Sequence, residues 1–220
     1  MSHWTWATGP DGSGAPDMEA VCGAEHTIAL LLALSRNLKT VCRQAAEGGM
    51  PYPYPAQWRT QREIEGKQLL LLGLGETGRH IVRKAKGLGL KIWCYSPRIS
   101  SREAEQAGAQ KAENLALALG GADYISLHPS GRDSVLPQVG TEHFSAMKQG
   151  SFFLCTSPTV QVDEKALTQA LQDKRLSGAG MDLPARMSLP ADSPLFHMEN
   201  VILIPGCMGA AGESGTGGAA

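Results

Sequence analysis

The feature that most constrains the fold is a glycine motif between an apolar run and an amphipathic segment. Residues 69–72, four leucines, lead directly into Gly73-Leu74-Gly75-Glu76-Thr77-Gly78, and apolar residues then recur at helical spacing. A strand, a GxGxxG loop and a helix in this order form the phosphate-binding turn of dinucleotide-binding folds. The first glycine makes the tight turn, the second lets the backbone approach the pyrophosphate, and the third packs the helix against the strand. A glycine-rich turn that only packs is the alternative interpretation.

The rest of the chain after Lys67 alternates short apolar runs with amphipathic stretches. Helical stretches are predicted near 77–88, 101–108, 113–119, 140–148 and 163–173, and strands at 68–72, 91–95, 124–127, 151–155, 179–183 and 201–204. Strands that are apolar along their whole length and alternate with helices are typical of a parallel sheet covered on both faces. We therefore predict an α/β domain with a doubly wound parallel sheet, the Rossmann architecture.

The flanking segments have a different composition. Residues 1–17 are rich in turn residues and indicate a flexible lead, and the pattern from Met18 to about Ala45 predicts one long buried helix. Prolines that alternate with tyrosines at 51–55 indicate an exposed arm. Residues 209–220, largely Gly, Ala, Ser and Thr, predict a disordered tail. The dinucleotide-binding domain is thus expected to cover residues 18–208.

Charge and composition argue against several classes of function. Lys and Arg total 20 against 21 for Asp and Glu, so no basic field attracts nucleic acid or anionic lipid. The five cysteines include no CxxC pair, so we expect reduced thiols and no metal site. The longest apolar run, Ile28 to Leu34, is shorter than the roughly 20 residues that cross a bilayer, and no secretory signal follows Met1. A cytoplasmic protein without a membrane or nucleic-acid partner is expected.

The end of the second predicted strand bears on the choice of cofactor. An acidic residue about 20 residues beyond the glycine motif usually accepts the ribose hydroxyls of NAD. Here the strand at 91–95 ends in Ser96-Pro97-Arg98, without a carboxylate. A hydroxyl and a guanidinium suit a 2′-phosphate, so the sequence favours NADP(H) over NAD(H). If Arg98 is only a solvated loop charge, the choice of cofactor stays open.

With these features the chain resembles the D-isomer-specific 2-hydroxyacid dehydrogenase family, from about residue 18 to residue 209. Further matching segments, in chain order, are 25–30 (EHTIAL), 65–67 (EGK), 125–128 (ISLH), 147–150 (MKQG), 162–167 (VDEKAL) and 192–195 (DSPL). The resemblance implies a domain of about seven parallel strands that forms a homodimer through the helix near 24–38 and the arm after it. It also implies that the family's substrate domain is largely absent from this chain.

By the same resemblance, the family's catalytic set is replaced. Family members use an arginine to bind the substrate, a histidine to move the proton and a glutamate paired with that histidine. In the segments CTSPTVQVDE, DLPARMS and IPG these positions are Pro158 for the arginine, Met187 for the glutamate and Gly206 for the histidine. None of these side chains can exchange a proton or bind an oxyanion. Asp182, which contacts the nicotinamide carboxamide in the family, is kept.

The candidate cofactor-binding residues come from the motif and from the resemblance. They are Gly73, Gly75, Glu76, Thr77, Gly78, Ser96, Pro97, Arg98, His128, Pro129, Thr156, Ser157 and Asp182. His128 is expected to pack and to touch the cofactor; catalysis by His128, or by His197 as a substitute acid, is the alternative.

The resemblance implies that the cofactor-binding residues of the family are kept and that its catalytic residues are replaced. Two functions are consistent with this combination. The first is a catalytically silent NAD(P)-binding protein that acts as a sensor, regulatory or partner subunit. The second is an NADPH-dependent oxidoreductase that acts on a 2-oxo acid, a 2-hydroxy acid or a related carbonyl with a re-routed proton donor. A truncated gene product without a function of its own is a third interpretation. Whether the chain is an enzyme stays open at this point.

Overall fold

The computed structural model describes residues 18–48, 61–129, 138–157, 161–183 and 189–205. The lead, the proline-rich arm and the tail that the sequence predicts lie outside these ranges. So do Pro158, Met187 and Gly206, the three positions at which the resemblance implies a replaced catalytic set.

Seven parallel strands form the central sheet, and two further strands form a separate ladder. The strands are β1 Gln68–Leu72, β2 Lys91–Tyr95, β3 Gln110–Lys111, β4 Tyr124–Leu127, β5 Gln138–Val139, β6 Ser151–Cys155, β7 Gln161–Val162, β8 Leu176–Leu183 and β9 Val201–Pro205. The order in the main sheet is β3-β2-β1-β4-β6-β8-β9, and β5 pairs with β7. All pairings are parallel. The predicted α/β doubly wound sheet of about seven strands is confirmed.

Helices cover both faces of the sheet. They are α1 Met18–Ser35, α2 Leu38–Gly48, α3 Glu76–Gly87, α4 Ser101–Ala107, α5 Leu115–Gly121, α6 Thr141–Ala146 and α7 Glu164–Gln172, with a short 3-10 helix at Pro194–His197. The five predicted helices after β1 agree with α3 to α7 to within about two residues at each end.

The core lies in two layers, one on each face of the sheet. Because successive side chains of a strand point to opposite faces, the leucines of β1 divide between the layers. Leu69 and Leu71 pack with α1, α3 and α4, whereas Leu70 and Leu72 pack with α5, α6 and α7. All four leucines are at most 1% exposed. Burial on both faces explains why the strand is apolar at every position.

The N-terminal helix differs from the prediction. The sequence predicts one helix from Met18 to about Ala45, but the structure has two, α1 and α2, which are separated at Asn37. Asn37 has a φ of 52°, in the left-handed region that asparagine tolerates better than most residues. The long prediction was therefore wrong in continuity, because neither glycine nor proline marks the break.

Helix α1 is, by length and composition, apolar enough to cross a membrane, although the sequence analysis expected no such segment. A helix in the core of a folded domain meets the same criterion. In this structure α1 contacts α3, β6 and β8, and Ala24, Leu30 and Leu31 on it are at most 2% exposed. These contacts account for its apolar character by packing within the domain.

Candidate dinucleotide site

The glycine loop lies between β1 and α3, at the carboxyl end of β1. Gly73 has a φ of 100°, and its N–H donates to Tyr95 O at 2.9 Å. A Cβ added at Gly73 would stand 2.2 Å from the carbonyl oxygen of His128, so no other residue fits there without moving the backbone. Gly78 is buried, and a Cβ there would meet Gly73 O and Leu74 Cδ1 at 3.5 and 3.6 Å, which are ordinary packing distances.

The amino end of α3 fits an anion. Gly75 is the N-cap residue and provides no side-chain hydrogen bond. The first hydrogen bond within the helix runs from Arg79 N to Gly75 O at 3.0 Å, so the amides of Glu76, Thr77 and Gly78 have no acceptor within the helix. Uncapped amides at a helix N-terminus are the donors that bind phosphate. Glu76 itself is exposed, and its carboxylate lies 3.9 Å from His80 Nε2.

His128 closes the loop from the side of β4. Its N–H donates to Leu72 O at 2.9 Å, and its Nε2 lies 2.6 Å from Ser126 Oγ. Burial lowers the pKa of His128 to about 3, so the imidazole is neutral at neutral pH. The side chain therefore packs behind the glycine loop, as the sequence analysis expects, and is a poor proton donor at neutral pH.

The end of β2 presents the residues predicted to choose the cofactor. Ser96 is 1% exposed, and its Oγ has no hydrogen-bond partner among the residues that the structure describes. Pro97 and Arg98 are exposed. Directly after them, Ser100 and Glu103 form a capping box that fixes the start of α4. Arg98 is thus held on a short segment between two ordered elements, at the same edge of the sheet as the glycine loop.

The ends of β6 and β8 carry the remaining predicted residues. Thr156 is 2% exposed and Asp182 is 6% exposed. At the end of β6, Cys155 Sγ donates to Ser157 O at 3.9 Å, and burial raises the pKa of the Cys155 thiol to about 12. The thiol is therefore protonated at neutral pH and does not serve as a nucleophile.

Two side chains of α1 reach this end of the sheet, and sequence reasoning missed both. Thr27 Oγ1 lies 2.9 Å from Thr156 Oγ1 and also donates to Gly23 O at 2.8 Å. His26 Nε2 lies 3.8 Å from Asp182 Oδ2. The only sequence signal was the segment at 25–30, which the resemblance marked as a helix and not as part of a site.

The structure thus places all the predicted cofactor residues at the carboxyl edge of the sheet. The loop of Gly73 to Gly78 and His128 lie where β1 meets β4, which is the switch point at which the strand order reverses. His197 is exposed on the 3-10 helix. Among the described residues, no group of three or more His, Cys, Asp or Glu side chains is placed to hold a metal.

Comparison with known proteins agrees with this geometry. Residues 28–207 match the sequence profile described as D-isomer specific 2-hydroxyacid dehydrogenase, NAD binding domain. The chain belongs to this family. The matched residues include the glycine loop, all nine described strands and the second half of α1.

Curated and solved members of the D-isomer specific 2-hydroxyacid dehydrogenase family are similar over most of this chain. A D-3-phosphoglycerate dehydrogenase from Methanocaldococcus jannaschii is 30% identical over 87% of the chain and 36% of its own length. A glyoxylate reductase from Korarchaeum cryptofilum is 30% identical over 87% of the chain and 57% of its own length. A crystal structure of a putative member from a Polaromonas species superposes with a TM-score of 0.77, at 28% identity, and covers 90% of this chain and 61% of that one. The chain spans between about a third and three fifths of the length of these relatives.

Proposed function

We propose that this domain binds NADP(H) or NAD(H) at the carboxyl edge of its sheet. The observation that carries the proposal is the amino end of α3, which Gly75 leaves uncapped at the switch point of the sheet. The amides of Glu76, Thr77 and Gly78 would hold the pyrophosphate. When bound, the dinucleotide would supply the capacity to accept or give a hydride.

NADP(H) is the preferred form in this proposal. The end of β2 offers the Ser96 hydroxyl and the exposed guanidinium of Arg98 in place of a carboxylate, which would repel a 2′-phosphate. The positive charges of Lys111 and Arg79 act on Cys94, so further cations lie near the carboxyl end of β2. An acyclic imino acid reductase that is 26% identical to this chain was solved in complex with NADPH.

The proposed role is binding without the family's catalysis. Its support is the resemblance, which implies that Pro158, Met187 and Gly206 stand at the catalytic positions, together with the state of the remaining groups. His128 is buried and neutral, and the thiol of Cys155 is protonated, so neither replaces the lost acid or base. Such a protein would act as a sensor, regulatory or partner subunit, with a homodimer through α1 as its expected assembly.

An oxidoreductase with a re-routed proton donor is the second candidate. The observation that favours it is the presence of His26 beside Asp182 at 3.8 Å, a histidine and a carboxylate at the carboxyl edge of the sheet. Its substrate would be a 2-oxo acid, a 2-hydroxy acid or a related carbonyl. Consumption of NADPH with glyoxylate or hydroxypyruvate would favour this candidate, and no turnover with a panel of 2-oxo acids would count against it.

Isothermal titration with the four oxidised and reduced dinucleotides tests the binding proposal. The informative variant is Gly75→Val, because Gly75 has a φ of −72°, which any residue adopts, so the fold should survive. Its side chain would occupy the space through which the phosphates approach the backbone. Gly87→Ala at the far end of α3, where nothing lies within 4 Å of an added Cβ, is the matched control. Absence of binding by the unmodified chain at millimolar dinucleotide would overturn the proposal.

A further inference from the structure

A histidine of α1 lies against a carboxylate at the carboxyl end of β8. His26 Nε2 is 3.8 Å from Asp182 Oδ2, and the two side chains are 17% and 4% exposed. The neighbouring Thr27 is hydrogen-bonded to Thr156 at the end of β6, and this bond holds the turn of α1 in place. The His26–Asp182 pair is therefore a fixed part of the edge at which we place the dinucleotide.

The position of this pair in the sheet decides which half of the dinucleotide it would face. In a doubly wound sheet the two halves of the ligand lie on opposite sides of the switch point. Ser96 and Arg98 follow β2 on one side, and Asp182 lies on β8 on the other. The adenosine half belongs to the side of β2, so the nicotinamide half belongs to the side of Asp182.

The two redox states of the nicotinamide differ by one charge. The oxidised ring is a cation and the reduced ring is neutral, whereas the pyrophosphate is the same in both. An ionised Asp182 therefore favours the oxidised form by Coulomb attraction. Protonation of His26 would place a positive charge beside that carboxylate and offset the preference.

We propose that His26 makes the choice between oxidised and reduced dinucleotide depend on pH. This rests on the proposed function, dinucleotide binding at this edge. As the pH falls and His26 becomes protonated, affinity for the oxidised form should fall relative to affinity for the reduced form. His26 is then a positioning residue that acts through Asp182, and the chain would report the redox state of the dinucleotide pool as a function of pH.

The described elements that pack against α1 carry other ionisable groups. Of the described elements packed against α1, β6 ends in Cys155, whose thiol stays protonated, and β9 has no ionisable side chain. Helix α2 follows the carboxyl end of α1, and its charged side chains lie beyond that end. Helix α3 presents Glu76, His80 and Lys84, of which Lys84 bonds Glu25 at 2.7 Å.

The effects of these neighbours on binding can be separated from the effect of His26. The bond to Lys84 lowers the pKa of the Glu25 carboxyl. Glu25 therefore stays ionised from pH 5.5 to 7.5, which is the pH range of the test. His80 lies beside Glu76 at the phosphate end. Its protonation should therefore change the affinities for the oxidised and reduced forms equally, because both carry the same phosphates, and should cancel in their ratio.

The test is the ratio of dissociation constants for the oxidised and reduced forms of one dinucleotide, measured by isothermal titration from pH 5.5 to 7.5. We expect this ratio to rise roughly three- to tenfold toward pH 5.5, the effect of one partly screened unit charge. His26→Gln should flatten the ratio, and His80→Gln should leave its pH dependence unchanged. Asp182→Asn should weaken the preference for the oxidised form at every pH.

A second readout separates this role from simple packing. By linkage, the oxidised ligand must lower the midpoint of the His26 imidazole titration seen by NMR relative to the reduced ligand. A ratio that does not change with pH, or His26→Gln that lowers both affinities equally at all pH values, would overturn the proposal while leaving dinucleotide binding intact. Binding of neither form at any pH would instead overturn the proposed function.

Discussion

Replacing Gly73 by alanine is expected to destabilise the domain by about 2–4 kcal/mol. The first contribution is conformational: Gly73 has a φ of 100°, and a left-handed backbone costs an L-residue about 1–2 kcal/mol. The second is steric. The new Cβ would stand 2.2 Å from His128 O, 2.7 Å from His128 C and 2.9 Å from Pro129 Cα.

The steric contribution cannot be relieved by a side-chain rotation, because all three atoms belong to the backbone. The segment at His128 must retreat by about 1 Å to reach normal van der Waals separation. That movement strains the hydrogen bond from His128 N to Leu72 O, now 2.9 Å long, which links the ends of β4 and β1. Loss of such a bond costs about 1 kcal/mol.

Urea unfolding of the ligand-free protein measures the effect. Gly73→Ala should lower the midpoint without changing the slope, and should lower Tm by roughly 5–15 °C for a chain of this size. Gly87→Ala, where the added Cβ meets nothing within 4 Å, should stay within about 1 kcal/mol of the unmodified protein. Equal stability of the two variants would refute the reasoning, since the loop would then yield to a backbone clash at no cost.

Three further predictions follow from the site. Arg98→Asp should shift the preference from NADPH toward NADH in titrations; an unchanged preference would mean that Arg98 does not contact the 2′-phosphate. Because burial lowers the pKa of His128 to about 3 from an ordinary value near 6.5, the unfolded chain binds the extra proton first. Stability should therefore fall on acidification below about pH 6.5, by up to about 1.4 kcal/mol per pH unit. His128→Asn should reduce this slope in urea unfolding at several pH values, and a slope identical to that of the unmodified protein would contradict the assignment. Exposed Cys42 should react with a thiol reagent in the native protein, whereas Cys155, with its raised pKa and 5% exposure, should react only on unfolding; fast labelling of Cys155 would show that its surroundings open.

The sequence was sufficient to predict the main strands of the sheet because each is largely apolar and is bounded by turn residues. β3 was missed, since Gln110–Lys111 has two polar residues and pairs only with β2 at the edge of the sheet. Its position is set by the neighbouring strand and not by its own composition. The break between α1 and α2 was missed for a related reason, because Asn37 takes a left-handed φ within a pattern that reads as continuous helix.

The candidate site also has a part that the sequence predicts and a part that it does not. The glycine loop carries a local signal, because its three glycines lie within six consecutive residues between a strand and a helix. The contacts of His26 with Asp182 and of Thr27 with Thr156 join residues that are far apart in the chain. No periodicity encodes such a pair, since it depends on how α1 crosses the ends of β6 and β8. Only the folded arrangement reveals it.

The first two glycines of the loop, Gly73 and Gly75, provide different evidence about function. Gly73 is required by the fold itself, because its φ of 100° and its contact with His128 exclude a side chain whether or not a ligand binds. Its presence therefore does not argue that binding is kept. Gly75 has an extended conformation, φ −72° and ψ −167°, that other residues adopt freely. Its backbone angles give no reason for glycine, whereas the close approach of a phosphate does. Loss of binding in Gly75→Val with unchanged stability would therefore separate a retained ligand site from a retained fold.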